Sequence, residues 1–446
     1  MAGQTLFFAA IADDDTGASD EAGMLSEAGA ETVLSIGVPS AEDLARWRDT
    51  YHAVVVATKS RAASREDAYR TTRDAVEVLA HAGVCHFQVK YCSTFDSTAR
   101  GNIGPSIDAA LDGLQEDFTI AVPALPVNGR TTYLGHHFVN GALLSDSAMR
   151  NHPLTPMTDS NLVRWLQQQT ARRVGLAALP AVRAGPGALE AEFARLRASG
   201  VEVAIVDCAS GDDVAVIARA AAGLRLTSGS SGLAMELPAV WRNSGRLPNV
   251  PKDDNSVLPD TAGGCLIVAG SCSEATSRQN EAAAEAGILH VPLDSFSVVD
   301  GRVDQEPLLA VLAAGRPLLV STTGTPEEVA EIRARAANRG WTPEILGEKI
   351  ASATAELARG LLSKSGVRRL IVAGGETSGH VCRALGIRSF EILGNIDPGV
   401  PLCRSGALLV ALKSGNFGAP DFYTKALERM ARARAAVITG IHFRTT

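Results

Sequence analysis

Short apolar runs rich in β-branched residues recur along the chain, each ending in Gly, Ser, Thr or Asp and followed by an Ala, Leu, Glu and Arg stretch with helical spacing. That alternation predicts an α/β protein built from parallel sheets covered by helices. The runs at 6–12, 32–36, 53–57, 87–91, 119–122 and 203–207, then at 266–269, 318–321, 370–373 and 408–412, have the length and composition of buried strands. Helix punctuation agrees with the period. After Ser64, residues Tyr69, Thr72, Val76 and Leu79 share one face, Asp67 stands three residues beyond the Ser cap, and Gly83 closes the run. Thr325-Pro326-Glu327-Glu328 is a second start, with a Thr cap, Pro at the first helical position and Glu three residues after the cap.

Between Trp241 and Gly264 this texture breaks into a polar, Pro-containing segment with no apolar period. We expect a domain over 1–240, a linker over 241–261 and a second domain over 262–446, each a mainly parallel sheet flanked by helices. The cleft between two such domains is the default place for an active site. A length of 446 residues suits two domains, and the sequence shows no internal repeat.

Composition narrows the function classes. Forty-two Lys and Arg against 49 Asp and Glu give a net charge of −7, which argues against nucleic acid and anionic membrane as partners. The seven cysteines (Cys85, Cys92, Cys208, Cys265, Cys272, Cys382 and Cys403) form no C-x-x-C pair, so a reduced, cytoplasmic setting is expected. The opening residues lack a basic stretch and a signal-length apolar core, and no window reaches the 18 apolar residues of a membrane span. Adjacent His136 and His137 have no ligand partner at metal spacing and read as structural or substrate-loop residues.

Ligands of open α/β sheets collect at the carboxyl ends of strands, and four such places carry chemistry. Asp13-Asp14-Asp15-Thr16-Gly17 follows the first strand. Clustered carboxylates there can bind a metal, take a proton from a hydroxyl or accept hydrogen bonds from a polyol; the plain alternative is a solvated acidic turn capping a helix. Lys90-Tyr91-Cys92-Ser93-Thr94-Phe95-Asp96-Ser97-Thr98 with Arg100-Gly101-Asn102 offers cations for a carboxylate and Ser, Thr and Asp for hydroxyls, and Arg61 at another strand end can add a cation. In the C-terminal half, Gly270-Ser271-Cys272-Ser273 and Gly374-Gly375-Glu376-Thr377 each open a helix, and Lys413-Ser414-Gly415-Asn416-Phe417-Gly418 follows the last strong strand. Three glycine turns in one domain favour a nucleotide phosphate site. There is neither a G-x-x-x-x-G-K-[ST] loop nor a G-x-G-x-x-G after a strand, so an ordinary P-loop is excluded and a dinucleotide fold is disfavoured. Ser228-Gly229-Ser230-Ser231-Gly232 reads as a tight turn near a strand end.

At these motifs, over nearly its whole length, the sequence resembles the four-carbon acid sugar kinase family, two-domain enzymes with an N-terminal sugar-acid domain and a C-terminal nucleotide domain. The matching residues are Asp13-Asp14 with Thr16-Gly17, Lys90 with Asp96-Ser97-Thr98 and Arg100-Gly101-Asn102, Gly229-Ser230-Ser231-Gly232, Gly270-Ser271 with Ser273, residues 374–377 and residues 413–418. Residues 90–98, together with Gly129-Arg130-Thr131-Thr132 and His152-Pro153-Leu154-Thr155-Pro156-Met157, look like its 3-oxo-tetronate kinase branch. The family commonly has a hydrophobic residue where Asp15 stands and often Asp where Glu376 stands.

The resemblance implies transfer of the γ-phosphoryl group of ATP, with Mg²⁺, to the C4 hydroxyl of 3-oxo-tetronate. It implies Asp14 as the base or the group orienting that hydroxyl, and Asp13, Arg61, Lys90, Ser93, Thr94, Asp96, Ser97 and Thr98 as the sugar-acid site. Ser271, Ser273, Gly374, Gly375, Glu376, Thr377 and Gly415 would contact ATP; no metal ligands are assigned, and a homodimer is the common default. The same-family alternatives are D-threonate, D-erythronate or L-threonate kinases, which differ at C3. An NAD(P)-dependent hydroxy-acid dehydrogenase and a non-catalytic ligand sensor are the readings from other classes.

Overall fold

The computed structural model describes residues 5–152, 155–248, 263–322, 324, 326–397, 399–413 and 415–439, with backbone alone at 326 and 432–439. Its contacts divide the chain into Met1–Pro251 and Lys252–Thr446.

The first unit contains β1 (Phe8–Ala12), β2 (Thr32–Ile36), β3 (Ala53–Ala57), β4 (His86–Lys90), β5 (Thr119–Val122), β6 (Arg130–Tyr133), β7 (His136–Val139), β8 (Ala142–Leu143), β9 (Val174–Ala177), β10 (Val203–Val206) and β11 (Leu226–Gly229). Eight of them form a parallel sheet in the order β2-β3-β1-β4-β11-β5-β10-β9, while β6, β7 and β8 make a small antiparallel sheet. Every residue of β1 and β3 is buried, as expected of parallel strands covered on both faces. The continuous Ala, Val and Ile runs that announce these strands are therefore core.

β11 reads Leu-Thr-Ser-Gly and has little apolar signature, yet it lies buried between β4 and β5. Hydroxyls make this possible. Ser228 Oγ donates to the Ile120 carbonyl at 2.9 Å, and Thr119 Oγ1 donates to the Leu226 carbonyl at 2.9 Å. Each buried hydroxyl thus finds an acceptor on the neighbouring strand.

The helix Arg65–His81 starts at the Ser64 cap, whose Oγ accepts the Asp67 N–H at 3.1 Å. Ala68, Thr72, Ala75, Val76 and Leu79 form its buried face. Tyr69 leaves that face and donates to Asp112 Oδ2 at 2.6 Å. The expected linker start at 241 is corrected: the helix Gly232–Asn243 continues through it. Trp241 is buried and packs on Phe7 and Phe8 with ring centroids 5.0 and 4.9 Å away, so this stretch belongs to the first core.

The second unit contains β12 (Cys265–Ala269), β13 (Leu289–Pro292), β14 (Pro317–Ser321), β15 (Arg369–Ala373), β16 (Ser389–Asp397), β17 (Val400–Ser405) and β18 (Leu408–Lys413). Their order is β13-β14-β12-β15-β18-β17-β16, parallel as far as β18 and antiparallel beyond it. Ile267, Leu319 and Ile371 meet Phe422, Tyr423 and Met430 of the last helix in the core. The helix Pro326–Ala337 is present, and its expected Thr325 cap lies outside the described residues.

Gly229 closes β11 against β5, where an added Cβ would overlap the Val122 carbonyl. Since the obstacle is backbone, Gly229→Ala should cost about 1–3 kcal/mol, read as a lower urea midpoint with an unchanged slope. An unchanged midpoint would show that this strand contact relaxes freely.

Candidate functional site

In the first unit the adjacent strands β3, β1 and β4 deliver residues 58–61, 13–15 and 90–98 to one edge. Backbone bonds stitch these turns together. The Asp13 N–H donates to the Lys90 carbonyl at 3.1 Å, and the Arg61 N–H donates to the Asp13 carbonyl at 3.1 Å. Asn102 Nδ2 fixes the β3 turn from the side through the carbonyls of Ser60 at 2.7 Å and Ala63 at 2.8 Å.

Arg61 forks Asp13, with Nε to Oδ2 and Nη2 to Oδ1 both at 2.8 Å, and Nη2 lies 3.0 Å from Asp14 Oδ1. Burial works against the guanidinium charge, but Asp13 and Asp14 outweigh it and hold Arg61 protonated. Burial lifts the Asp13 carboxyl above its ordinary value against the pull of Arg61, and the bidentate fork is the geometry of an ion pair. Asp14 caps the helix Asp15–Glu27, its Oδ1 accepting the Gly17 N–H at 2.8 Å. Both of these Asp14 contacts fall on Oδ1, so Oδ2 is the oxygen left for a ligand. Lys59 pairs with Asp15 at 2.8 Å.

Lys90 is buried, and a Cβ on Gly17 would overlap both its Nζ and Asp14 Oδ1. Only glycine lets the helix start this close to the ammonium. Burial pulls the Lys90 pKa down, yet Asp20, Asp14, Asp13 and Glu21 together raise it above the usual lysine value. Asp13, Arg61, Lys90, Asp96 and Asn102 border a cavity of about 10 Å³, the room of about one water. A solvent-sized space thus lies among these side chains.

The 93–98 loop divides by role. Thr94 Oγ1 donates to Asp96 Oδ1, while Ser93 and Thr98 are half-buried. Ser97, expected in the sugar-acid site, is committed elsewhere. Its hydroxyl donates to the Phe95 carbonyl at 2.8 Å and accepts Trp165 Nε1 at 3.0 Å and Gln169 Nε2 at 2.9 Å. With its donor and both lone pairs used, Ser97 holds the loop. Arg61 clamps Asp13 and Asp14 through Nε and Nη2 while it lines the cavity.

In the second unit β12, β15 and β18 are neighbours, and their three glycine turns converge. A Cβ on Gly270 would overlap Thr377 Oγ1, one on Gly415 would overlap Ser271 Oγ, and one on Gly374 would sit 3.2 Å from the Ser271 nitrogen. Ser273 caps the helix Glu274–Glu285 and donates to the Gly415 carbonyl at 2.6 Å. That carbonyl also collects Lys413 Nζ at 2.9 Å and Thr276 Oγ1 at 3.0 Å. Ser273 therefore secures the Gly415 turn, and burial brings the Lys413 ammonium beside it down to about 8. The helix Gly375–Ala384 begins after Gly374 with no side-chain cap. Its first N–H groups and dipole are those an anion would meet, and the close-packed glycines fit a phosphate chain. Glu376, His380 and Glu348 bring their ligand atoms within 4.8 Å of one another beside this turn.

Asp20 and Glu21 were not singled out from sequence. Ser231 donates to Asp20, tying the β11 turn to the helix Asp15–Glu27. Asp20 and Glu21 stand three and four residues after Gly17 on that helix, which was the available signal. His137 is structural: its Nε2–H donates to the Ser93 carbonyl at 2.8 Å, so Nδ1 accepts Thr132 Oγ1 at 3.0 Å. Burial lowers its pKa to about 4 and keeps it neutral.

Comparison with known proteins agrees with this division. A family model described as a sugar-binding N-terminal domain matches residues 8–237, and one described as a nucleotide-binding C-terminal domain matches 266–423. A protein of Pseudomonas savastanoi pv. phaseolicola named 3-oxo-tetronate kinase is 45% identical, covering 95% of this chain and 97% of its own. One of Pseudomonas fluorescens with the same name is 46% identical at the same coverages. A solved Haemophilus influenzae structure superposes with a TM-score of 0.80 at 38% identity, covering 94% of this chain and 99% of its own. Among the described residues no helix is long and apolar enough to cross a membrane.

Glu21 is fully buried behind Lys90 with neither carboxyl oxygen hydrogen-bonded among the described residues, and burial pushes its pKa up to about 8. The folded chain thus holds a proton that the unfolded chain releases from about pH 4.5, so stability falls as pH rises and levels off above about 8. Glu21→Met should flatten this slope, gaining roughly 3 kcal/mol at pH 7 relative to pH 5. Parallel pH–stability curves for the two proteins would show that Glu21 is ionised in the fold.

Proposed function

The chain belongs to the four-carbon acid sugar kinase family, and from that membership we propose that it transfers the γ-phosphoryl group of ATP to the C4 hydroxyl of 3-oxo-tetronate. The observation that carries the substrate is end-to-end identity of 45–46% with proteins named 3-oxo-tetronate kinase. The geometry supports the chemistry. Hydroxyls, carboxylates and cations gather at the ends of β1, β3 and β4, as a sugar acid requires, and three glycine turns meet at the ends of β12, β15 and β18, as a polyphosphate requires.

Phosphoryl transfer demands in-line positioning and charge stabilisation more than covalent help from the protein. Asp14 Oδ2 receives the C4 hydroxyl and takes its proton as the bond to phosphorus forms. Arg61 and the Gly17 N–H lock the other oxygen, which sets the direction of Oδ2. Lys90, with Ser93, Thr94, Asp96 and Thr98, recognises the acid and its hydroxyls. Ser271, Thr377 and the N–H groups at the start of the helix Gly375–Ala384 hold the polyphosphate.

Mg²⁺ takes oxygen ligands, commonly one or two carboxylates with phosphate oxygens. Glu376 and Glu348 suit it, whereas the imidazole of His380 does not, so the carboxylates beside the cradle would hold the ion. Bound there, it would neutralise charge on the phosphates.

Asp14→Asn keeps the helix cap, since Asn caps as well as Asp, and removes the proton acceptor. Its kcat should fall at least 100-fold with ATP affinity within twofold of wild type; retained turnover would remove Asp14 from the chemistry. Coupled ADP release should show kcat/KM for 3-oxo-tetronate, generated in situ, at least tenfold above that for threonates and erythronates, about 1.4 kcal/mol of discrimination. Better turnover of a reduced acid would reassign the substrate within the family, and no ADP release with any acid would defeat the kinase reading.

A further inference from the structure

With Asp14 receiving the C4 hydroxyl at the end of β1, the carboxylate at the other end of a four-carbon acid needs a cation elsewhere on the same edge of the sheet. The cations at β1, β3 and β4 already face acids. Arg61 forks Asp13 and touches Asp14, Lys59 pairs with Asp15, and Lys90, 3% exposed, stands among four carboxyl groups.

β5 reaches that edge as well. Gly229 of β11 pairs with Lys90 on one side and with Val122 on the other, so β5 ends two strand spacings, about 10 Å, from Lys90. Just beyond it the chain turns into β6, and Arg130 is tied to the turn in both directions. Its N–H donates to the Leu125 carbonyl at 3.1 Å, and its carbonyl accepts the Leu125 N–H at 2.9 Å. Across β6 and β7, Arg130 and Thr132 share a face with their partners Val139 and His137. That face is the inner one: Thr132 and His137 are fully buried, and His137 Nε2 holds the Ser93 carbonyl in the loop after β4. Burial keeps the His137 ring neutral, and the positive charge of Arg130 acts on it in the same sense. Arg130 thus shares the face of the small sheet that holds the 93–98 loop.

The guanidinium of Arg130 is half-buried and has no counter-ion. Among the described residues it pairs with no carboxylate; Nη1 donates to the Asn128 carbonyl, and Nε is buried with no partner. A guanidinium so placed loses hydration without compensation until a ligand completes it. With Nη1 held, the edge left is that of Nε and Nη2, the same edge with which Arg61 forks Asp13. It matches a carboxylate through two parallel hydrogen bonds.

We propose that Arg130 binds the carboxylate of the sugar acid through Nε and Nη2. The assignment rests on the kinase reading above and adds the anchor for C1. Asp14 at β1 and Arg130 beyond β5 then hold the two ends of the molecule, and β4, which leads into residues 91–98, stands between them in the sheet.

Coupled ADP release from the full chain tests this with 3-oxo-tetronate, generated in situ, and with erythrulose, in which a CH₂OH group replaces the carboxylate. Arg130→Met should raise KM for 3-oxo-tetronate at least tenfold, with kcat within threefold and KM for ATP within twofold of wild type. The ratio of kcat/KM for 3-oxo-tetronate to that for erythrulose should fall at least fivefold, because erythrulose has no carboxylate with which to lose the contact. Arg130→Lys keeps a charge without the fork and should raise KM for 3-oxo-tetronate at least threefold, which decides the matter if Arg130→Met does not fold. A KM within twofold of wild type in the folded variants, or an equal loss on both substrates, would overturn the assignment while leaving the kinase reading intact. A wild-type chain that releases no ADP with 3-oxo-tetronate would overturn that reading and this assignment with it.

Discussion

A carboxylate taken out of water needs a cation or several donors beside it, and the carboxyl end of β1 gathers five acids within residues 13–21. Arg61 answers Asp13 and Asp14, Lys59 answers Asp15, and Ser231 gives Asp20 a neutral donor. Lys90 sits among four of the five, and Glu21 is left with its proton. The cations arrive from β3 and β4, the two strands that flank β1. Strand order and site composition are therefore one constraint: move β1 elsewhere in the sheet and these acids could not be kept close together. Gly17 belongs to the same constraint, because any side chain there would displace Lys90 or the Asp14 cap.

The second unit solves its problem with almost no charge. Its three turns meet through glycines and hydroxyls, and the lysine among them, Lys413, is spent on the Gly415 carbonyl and Thr276. An anion arriving there meets mainly backbone N–H groups and a helix dipole, which are fixed by the fold and need no side-chain ordering. This explains the different composition of the two sites. A sugar acid presents hydroxyls and one carboxylate whose positions must be told apart, which takes varied side chains. A polyphosphate presents repeated identical oxygens, which takes a repeated backbone pattern.

How much was legible in the sequence follows from the same physics. β2, β3 and β5 are read to the residue because each is a short run rich in β-branched residues. β11 escapes because its burial rests on hydroxyl-to-carbonyl bonds that no hydropathy pattern records. β16 and β17 escape because Gly394 and Pro401 interrupt them. In the site, residues at strand ends were visible from position alone, as with Asp13, Lys90 and Gly374. What position could not reveal was which polar groups are already satisfied. Ser97 and Ser273 look like ligand-facing hydroxyls in a Ser-rich turn, and only long-range partners such as Trp165, Gln169 and Gly415 show them to be braces.

Arginine at position 61 has a geometric reason beyond its charge. A lysine would place one compact ammonium between Asp13 and Asp14, free to rotate and to favour either. The planar guanidinium instead holds Asp13 through two parallel bonds and uses the same Nη2 to touch Asp14 Oδ1, so both carboxylates are fixed relative to one plane. The Gly17 N–H then pins that same Asp14 oxygen from the helix side. Two donors on one oxygen determine where the second oxygen points, and the in-line attack proposed above depends on that direction more than on the strength of the base. The apparent redundancy of paired acids is thus a division of labour in which Asp13 anchors the arginine and the arginine aims Asp14.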